Sequence, residues 1–288
     1  MPDTYITDAP SLVYRAFFSY PTTVTDDRGN PVNAVRGFME MITRLVSDRR
    51  PDHLVNVFDS NFRPDFRVAA YPGYKAQRPE DPPELPRQFH VIAEVLDAAG
   101  MVRAESEGLE ADDAIATLVA EAERFPITVV TGDRDLLALV RDPDVKALFP
   151  LKGLKEVTEF TETDVQDKYG VPPSLYGQFA TLRGDSSDGL PGMQGIGPKR
   201  AALLLKEYGT IEGILENLDK LPPKQAEAFE SSRDYLAAMK TVVGLVSDAP
   251  ISATEPHPPD EALLKELTEV HNLGSSTTRL LQALKGER

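Results

Sequence analysis

The chain contains no cysteine. Disulfide frameworks, thiolate zinc sites and cysteine nucleophiles are therefore excluded. No apolar run approaches the ~18 residues that a membrane span requires. The start, Met-Pro-Asp-Thr, lacks the basic and then apolar pattern of a signal peptide. The expected compartment is the cytoplasm, with no membrane partner. Positive charge is scarce as well: 31 Lys and Arg face 46 Asp and Glu, a net charge of −15. That balance argues against a broad basic surface coating DNA, because phosphates need local positive potential. If the partner is a nucleic acid, cations or metal ions must be concentrated in patches. The four histidines, His53, His90, His257 and His271, fall outside every motif below and read as structural or surface residues.

A hydrophobic share of 41% over 288 residues is enough for one large core or two modest ones. Up to about residue 150, short apolar strands alternate with amphipathic stretches. Tyr5-Ile6-Thr7, His53 to Phe58, Met101 to Ala104 and Ile127 to Thr131 read as strands. Ala34 to Arg49 and Ala111 to Arg124 carry helical periodicity. Such alternation predicts an α/β fold, a mainly parallel sheet flanked by helices. After a further strand at Val157 to Phe160 the pattern turns helical throughout, near 161–169, 174–183, 198–208, 233–246, 260–270 and 275–285.

Carboxylates stand out by their position on this scaffold. Asp8 follows the first strand, Asp59 the second, and Asp133 with Asp135 the fourth. Carboxyl ends of parallel strands line the ligand crevice of open sheets. Glu110, Asp112 and Asp113 open a helix, and Asp185 and Asp188 open the helical region, giving nine acids from five segments. If they converge, they repel one another and raise each other's pKa unless cations join them. Oxygen donors without clustered His or Cys suit Mg²⁺ or Mn²⁺ rather than zinc. Taken singly, each piece has a plainer reading. Asp112 and Asp113 also suit the first turn of a helix, and Asp133 and Asp135 a turn or cap. Residues 62 to 78 interleave rings and cations, with Arg63, Arg67, Tyr74, Lys75 and Arg78 near one helical face. Such a segment is either a solvated amphipathic helix or a grip for single-stranded nucleic acid. Gly195-Ile196-Gly197-Pro198-Lys199-Arg200 precedes an apolar helix, as a simple turn or as a backbone cradle for phosphate.

Seven strings, in order, carry a resemblance. They are Asp8 with Ser11 to Phe17, Phe58-Asp59, Tyr74 to Pro79, Glu110 to Asp113, Thr131 to Asp135, Gly184 to Asp188, and Gly195 to Lys199. Together they resemble the bacterial 5′ nuclease family, which includes flap endonucleases and the 5′ to 3′ exonuclease domain of DNA polymerase I. The resemblance implies a PIN-like α/β region over 1–165, with a helical arch at about 61–90. A helical region over 166–288 would follow, with a helix-hairpin-helix element at about 175–208. It implies two Mg²⁺ or Mn²⁺ ions, a third being left open, and a K⁺ ion at the hairpin. By position, Asp8, Asp59, Glu110 and Asp112 would surround the first ion with Asp113 close by, and Asp133, Asp135, Asp185 and Asp188 the second. Lys75 and Arg78 would contact the scissile phosphate and Tyr74 would stack on a base. Arg63, Arg67, Gly195, Gly197, Lys199 and Arg200 would hold DNA. The implied substrate is DNA with a 5′ flap, nick or free 5′ end, RNA-primed ends included. The implied enzyme is a monomer that hydrolyses phosphodiesters in replication and repair, and no protein partner is named.

The chain departs from the family pattern twice. Ala9-Pro10 follows the first Asp where Gly-Ser is frequent, and Gly189 follows the last where Asn is frequent. Both touch local geometry rather than ligands. Prolines 64, 72, 79, 82 and 83 interrupt the arch and predict that it is mobile without DNA. The rival readings are a PIN-like ribonuclease, an inert DNA-structure binder and a phosphatase with an Asp nucleophile. The arch and hairpin argue against the first, the presence of all nine acids against the second, and the seven acids it leaves unexplained against the third.

Overall fold

The structure, a computed structural model, describes residues 3–151 and 153–286. The first stretch runs β1 (Thr4–Asp8), α1 (Ala9–Ser19), α2 (Asn33–Arg49), β2 (His53–Val57), α3 (Asp65–Ala70), α4 (Leu85–Ala98) and β3 (Val102–Glu105). It continues through α5 (Ala111–Ala120), β4 (Ile127–Val130), β5 (Val145–Pro150) and β6 (Val157–Phe160). Helices α6 (Glu162–Tyr169), α7 (Tyr176–Arg183), α8 (Pro198–Tyr208), α9 (Ile211–Glu216), α10 (Pro223–Ser231) and α11 (Arg233–Val242) follow. The chain closes with β7 (Ser252–Ala253), α12 (Glu261–Val270) and α13 (Ser276–Leu284).

One seven-stranded sheet has the order β6-β5-β4-β1-β2-β3-β7. The five inner strands are parallel, and β6 and β7 are antiparallel edges. All of β4, Ile-Thr-Val-Val, is buried, as befits a strand covered on both faces. From β1 the chain winds one way to β2 and β3, then restarts on the other side with β4 and β5. The switch point therefore falls between β1 and β4, where a crevice opens beyond the carboxyl ends of the strands. Helices α1, α2 and α4 pack one face through Leu12, Phe38, Ile42 and Ile92. On the other face, α5 meets the strands through Ala114, Ile115 and Val119.

A separate apolar cluster, including Tyr176, Phe179, Leu204, Ile214 and Phe229, holds α7 to α11 together. Helix α6 starts on a reciprocal cap between Thr161 and Asp164 and stops at Gly170, whose φ of 78° suits glycine. The region after Phe160 is not wholly helical, because β7 returns to pair with β3. Leu264, Leu267, Leu273 and Leu280 return as well, joining the core of α1, α2 and α4. Expected helices end early at Ala120 and Val242, and β5 had no counterpart in the sequence pattern. No described helix is long and apolar enough to cross a membrane.

Candidate active site

Adjacent strand ends bring four of the acidic segments together. Asp8 is the last residue of β1 and also caps α1, its carboxylate accepting from the Ser11 amide at 3.1 Å. Pro10 sits in the first turn of α1, where its missing N–H costs nothing, and Ala9 is fully buried. The Ala9-Pro10 departure is thus compatible with a well-formed helix start aiming Asp8. From across the switch point, the Thr131 hydroxyl donates to Asp8 at 2.5 Å and accepts from the Asp133 amide at 2.8 Å. Asp59, two residues past β2, accepts from the Ala111 amide at 2.7 Å and so fastens that loop to the start of α5. Asp133 accepts from the Asp135 amide at 2.9 Å.

The nine acids divide by what holds them. Asp8, Asp59, Asp112, Asp133 and Asp135 make no salt bridge among the described residues. Burial pushes Asp8 up to about 7, with Asp133 and Asp59 adding repulsion against the hydrogen bonds from Thr131 and Ser11. Asp112 is raised by burial, then by Asp133 and Asp8. Asp135 is raised by burial, then by Asp133, Asp188 and Asp185. Burial likewise raises Asp59 and Asp133. Asp133 therefore faces both expected sets of acids.

The other four are clamped by cations. Glu110 accepts from Arg67 at 2.6 Å, from the Tyr74 hydroxyl at 2.7 Å and from Lys75. Arg67 also grips both oxygens of Asp113 at 2.7 Å, while its remaining donors reach the Val242 and Gly244 carbonyls. Asp185 pairs with Arg183 and Asp188 with Arg78, each at 2.8 Å. With these side chains drawn toward cations, no three acids among the described residues are arranged to hold one ion in this conformation. The donor chemistry nonetheless fits a hard divalent cation. All donors are oxygens, and the five unbridged carboxylates have their charge disfavoured by burial and by one another.

The basic residues do not form one helical face. Only Asp65–Ala70 is helical, with the cap at Pro64, and 72–77 is a run of turns. Arg67 is 2% exposed and Tyr74 3%, so the expected phosphate grip and base stack are unavailable to them here. Charge pairing with Glu110 and Asp113 outweighs solvation for one, and packing against Leu190, Met239 and Val242 buries the other. Asp113, 0% exposed and bound by Arg67, is likewise a structural partner in this conformation rather than an open ligand. Arg63 donates to the Tyr74 and Pro72 carbonyls at 2.6 and 2.8 Å, stapling the turns together.

The segment expected to move freely is docked on the 185–189 loop. The Lys75 amide donates to the Asp188 carbonyl at 2.9 Å, Gln77 to Ser186 at 2.9 Å and Arg78 to the Ser187 carbonyl at 3.1 Å. Lys75 has φ 52°, left-handed and uncommon for a side chain of its size. Gly189 has φ 73°, and a Cβ there would come within 3 Å of Gln77 and the Gly73 carbonyl. An Asn would collide with the docked segment, which accounts for the second departure. A cavity of about 570 Å³ results, bordered by Asp8, Asp59, Asp112 and Asp133 below and Lys75, Arg78 and Arg63 above. Burial depresses the Lys75 pKa, but Glu110 and Asp188 outweigh it and raise the net value.

Away from the cavity, α7 and α8 enclose the 184–197 hairpin. Met193 and Ile196 are buried, whereas Gly195, Gly197 and Lys199 are exposed. Gly195 has φ 74°, and nothing lies within 4 Å of a Cβ built there or at Gly197. The hairpin backbone is thus open to approach. Arg200 is half-buried and donates to Gln225 at 2.6 Å. The sequence pattern gave no sign of what Thr131 and Ser11 do, although both lie within the strings quoted above.

Acids at the mouth of a parallel sheet, roofed by lysine and arginine, define the class: an α/β nuclease fold. Comparison with known proteins specifies it. Residues 3–170 match the 5′-3′ exonuclease N-terminal resolvase-like domain and residues 171–266 the 5′-3′ exonuclease C-terminal SAM fold. A 5′-3′ exonuclease of Streptomyces coelicolor is 43% identical, over 96% of this chain and 98% of that protein. DNA polymerase I of Mycobacterium tuberculosis is 41% identical over 88% of this chain, which spans only 28% of the polymerase. Bacteriophage T5 flap endonuclease, solved with DNA and metal ions, shares the fold with a TM-score of 0.65 at 19% identity, covering 98% of this chain and 99% of that one. The chain belongs to the 5′-3′ exonuclease family, and it is a nuclease.

Proposed function

We propose that this nuclease cleaves DNA phosphodiesters beside the junction of a single-stranded 5′ end and a duplex, using two Mg²⁺ or Mn²⁺ ions. The carrying observation is the set of carboxylates of Asp8, buried, and Asp112, Asp133 and Asp135, half-buried, all raised in pKa and without a salt bridge among the described residues, with Lys75 and Arg78 nearby. Asp8, Asp59, Glu110 and Asp112 would hold one ion, and Asp133, Asp135, Asp185 and Asp188 the other. Ions held by these residues would supply a lowered pKa for a bound water and positive charge against that developing on the phosphoryl oxygens. Lys75 and Arg78 have the charge and position to exchange Glu110 and Asp188 for a substrate phosphate. Their stabilisation grows as that phosphate gains charge. Thr131 orients Asp8 and Asp133 through one hydroxyl, while Arg67 and Tyr74 orient Glu110.

The exposed backbone at Gly195 and Gly197, with Lys199, suits duplex phosphates without reading bases, and by the family resemblance a K⁺ ion would join it there. Most of the excess negative charge lies in the nine site acids, which is how a chain of net charge −15 can still present cations to DNA. A cytoplasmic monomer acting in primer removal and repair is the setting we infer.

Product length from a labelled duplex with a single-stranded 5′ flap tests this reading. One metal-dependent cut near the junction is expected in Mg²⁺ or Mn²⁺. Binding with no cut in either metal would overturn it in favour of an inert DNA-structure binder.

A further inference from the structure

Two rings border the cavity, Tyr14 and Phe62. Tyr14 is engaged: its hydroxyl donates to Asp81 at 2.5 Å and its ring meets Phe89 edge-on at 6.0 Å. Phe62 is 61% exposed, and among the described residues it takes part in no ring or cation–π pair. Leaving so large an apolar surface in water is unfavourable. Nor is its loop slack. The Ser60 and Asn61 amides donate to the Leu109 carbonyl at 3.1 and 2.9 Å, and the Arg63 amide donates to the Asn61 side chain at 3.0 Å. On the next residue the Arg63 guanidinium is fixed to the Pro72 and Tyr74 carbonyls. A ring three residues beyond Asp59 is thus anchored at the cavity rim without a partner of its own, while Tyr74, the ring expected to stack, is buried.

We propose that Phe62 is a specificity-determining residue that receives, by stacking, the base of an unpaired nucleotide adjoining the scissile phosphate. The proposal deepens the nuclease reading above and rests on it. A phosphate beneath Lys75 and Arg78 brings neighbouring nucleotides to the cavity that Phe62 borders. An unpaired base is free to turn onto the ring, whereas a paired base must first leave its stack. Every base has a π-face, so the contact selects single-stranded character and not sequence. Phe62 thereby adds to junction preference without taking part in the chemistry.

The test crosses two enzymes with two substrates. Wild type and Phe62→Ala are assayed in Mg²⁺ on a 5′-flap duplex, intact or with one abasic nucleotide beside the scissile phosphate, each side in turn. For wild type, loss of the base on one side raises KM by about tenfold, within the range of a base–aromatic stack. Phe62→Ala shows that same rise on the intact flap, no further rise on the abasic one, and an essentially unchanged kcat. Phe62→Tyr restores the wild-type pattern, and Phe18→Ala, which removes a ring 74% exposed elsewhere on the surface, matches wild type. Equal losses from base removal in wild type and Phe62→Ala, or a matching defect in Phe18→Ala, would overturn the proposal. A wild-type protein that neither binds nor cuts the intact flap overturns the nuclease reading itself, and this proposal with it.

Discussion

Asp133 is the acid that touches every part of the site electrostatically, lying near Asp8, Asp112, Asp135 and Asp188. Asp133→Asn keeps the size of the side chain and removes its charge. Single-turnover cleavage should fall by about three orders of magnitude or more, on the scale of lost electrostatic stabilisation, while flap affinity holds. An active variant would refute its role as a ligand. Lys75 now pairs with Glu110, yet its charge faces the cavity that a phosphate would enter. Lys75→Ala should lower kcat by about 10²-fold, more than it raises KM, as for a contact that strengthens in the transition state. Weaker binding at an unchanged rate would make Lys75 a positioning residue. The acids themselves were legible because strand ends can be read from short apolar runs. Their partners were not: Arg67 and Asp113 are 46 positions apart, and no periodicity links them.

At the scale of elements, α3 is a single short helix whose main task is to deliver Arg67 between α5 and the end of α11. Arg67→Met removes the charge but leaves Glu110 and Asp113 buried, a loss of about 3–5 kcal/mol for a broken buried pair. The melting temperature should drop by roughly 10 °C, read by calorimetry. A drop under about 2 °C would show that the clamp contributes little. Reading residues 62–78 as one helical face failed because Pro64 caps α3 and the chain leaves helical geometry at Tyr71. The parallel strands were visible by contrast, since Ile6, Val57 and Val129 are buried apolar positions flanked by polar turns. Strand β5 was missed because Lys146 and Pro150 break its pattern. The two-residue β7 is too short to carry any pattern at all.

For the whole molecule, the crowding of Asp8, Asp59, Asp112, Asp133 and Asp135 sets like charges against one another at the strand ends. Mg²⁺ or Mn²⁺ that binds only the folded state should raise the melting temperature, by about 3 kcal/mol of stability at a hundredfold excess over the dissociation constant. A melting temperature indifferent to both metals would argue against a shared site. Helices α12 and α13 also tie distant parts of the sequence together. Helix α13 packs on α2, α12 packs on α4, and β7 closes the edge of β3. Without residues 252–284, the cluster around Phe38, Ile42 and Ile92 would lose part of its cover, and the sheet bearing Asp8 and Asp59 would keep an open edge at β3. The acid-bearing strand ends thus belong to a core that a distant stretch of the same sequence must finish.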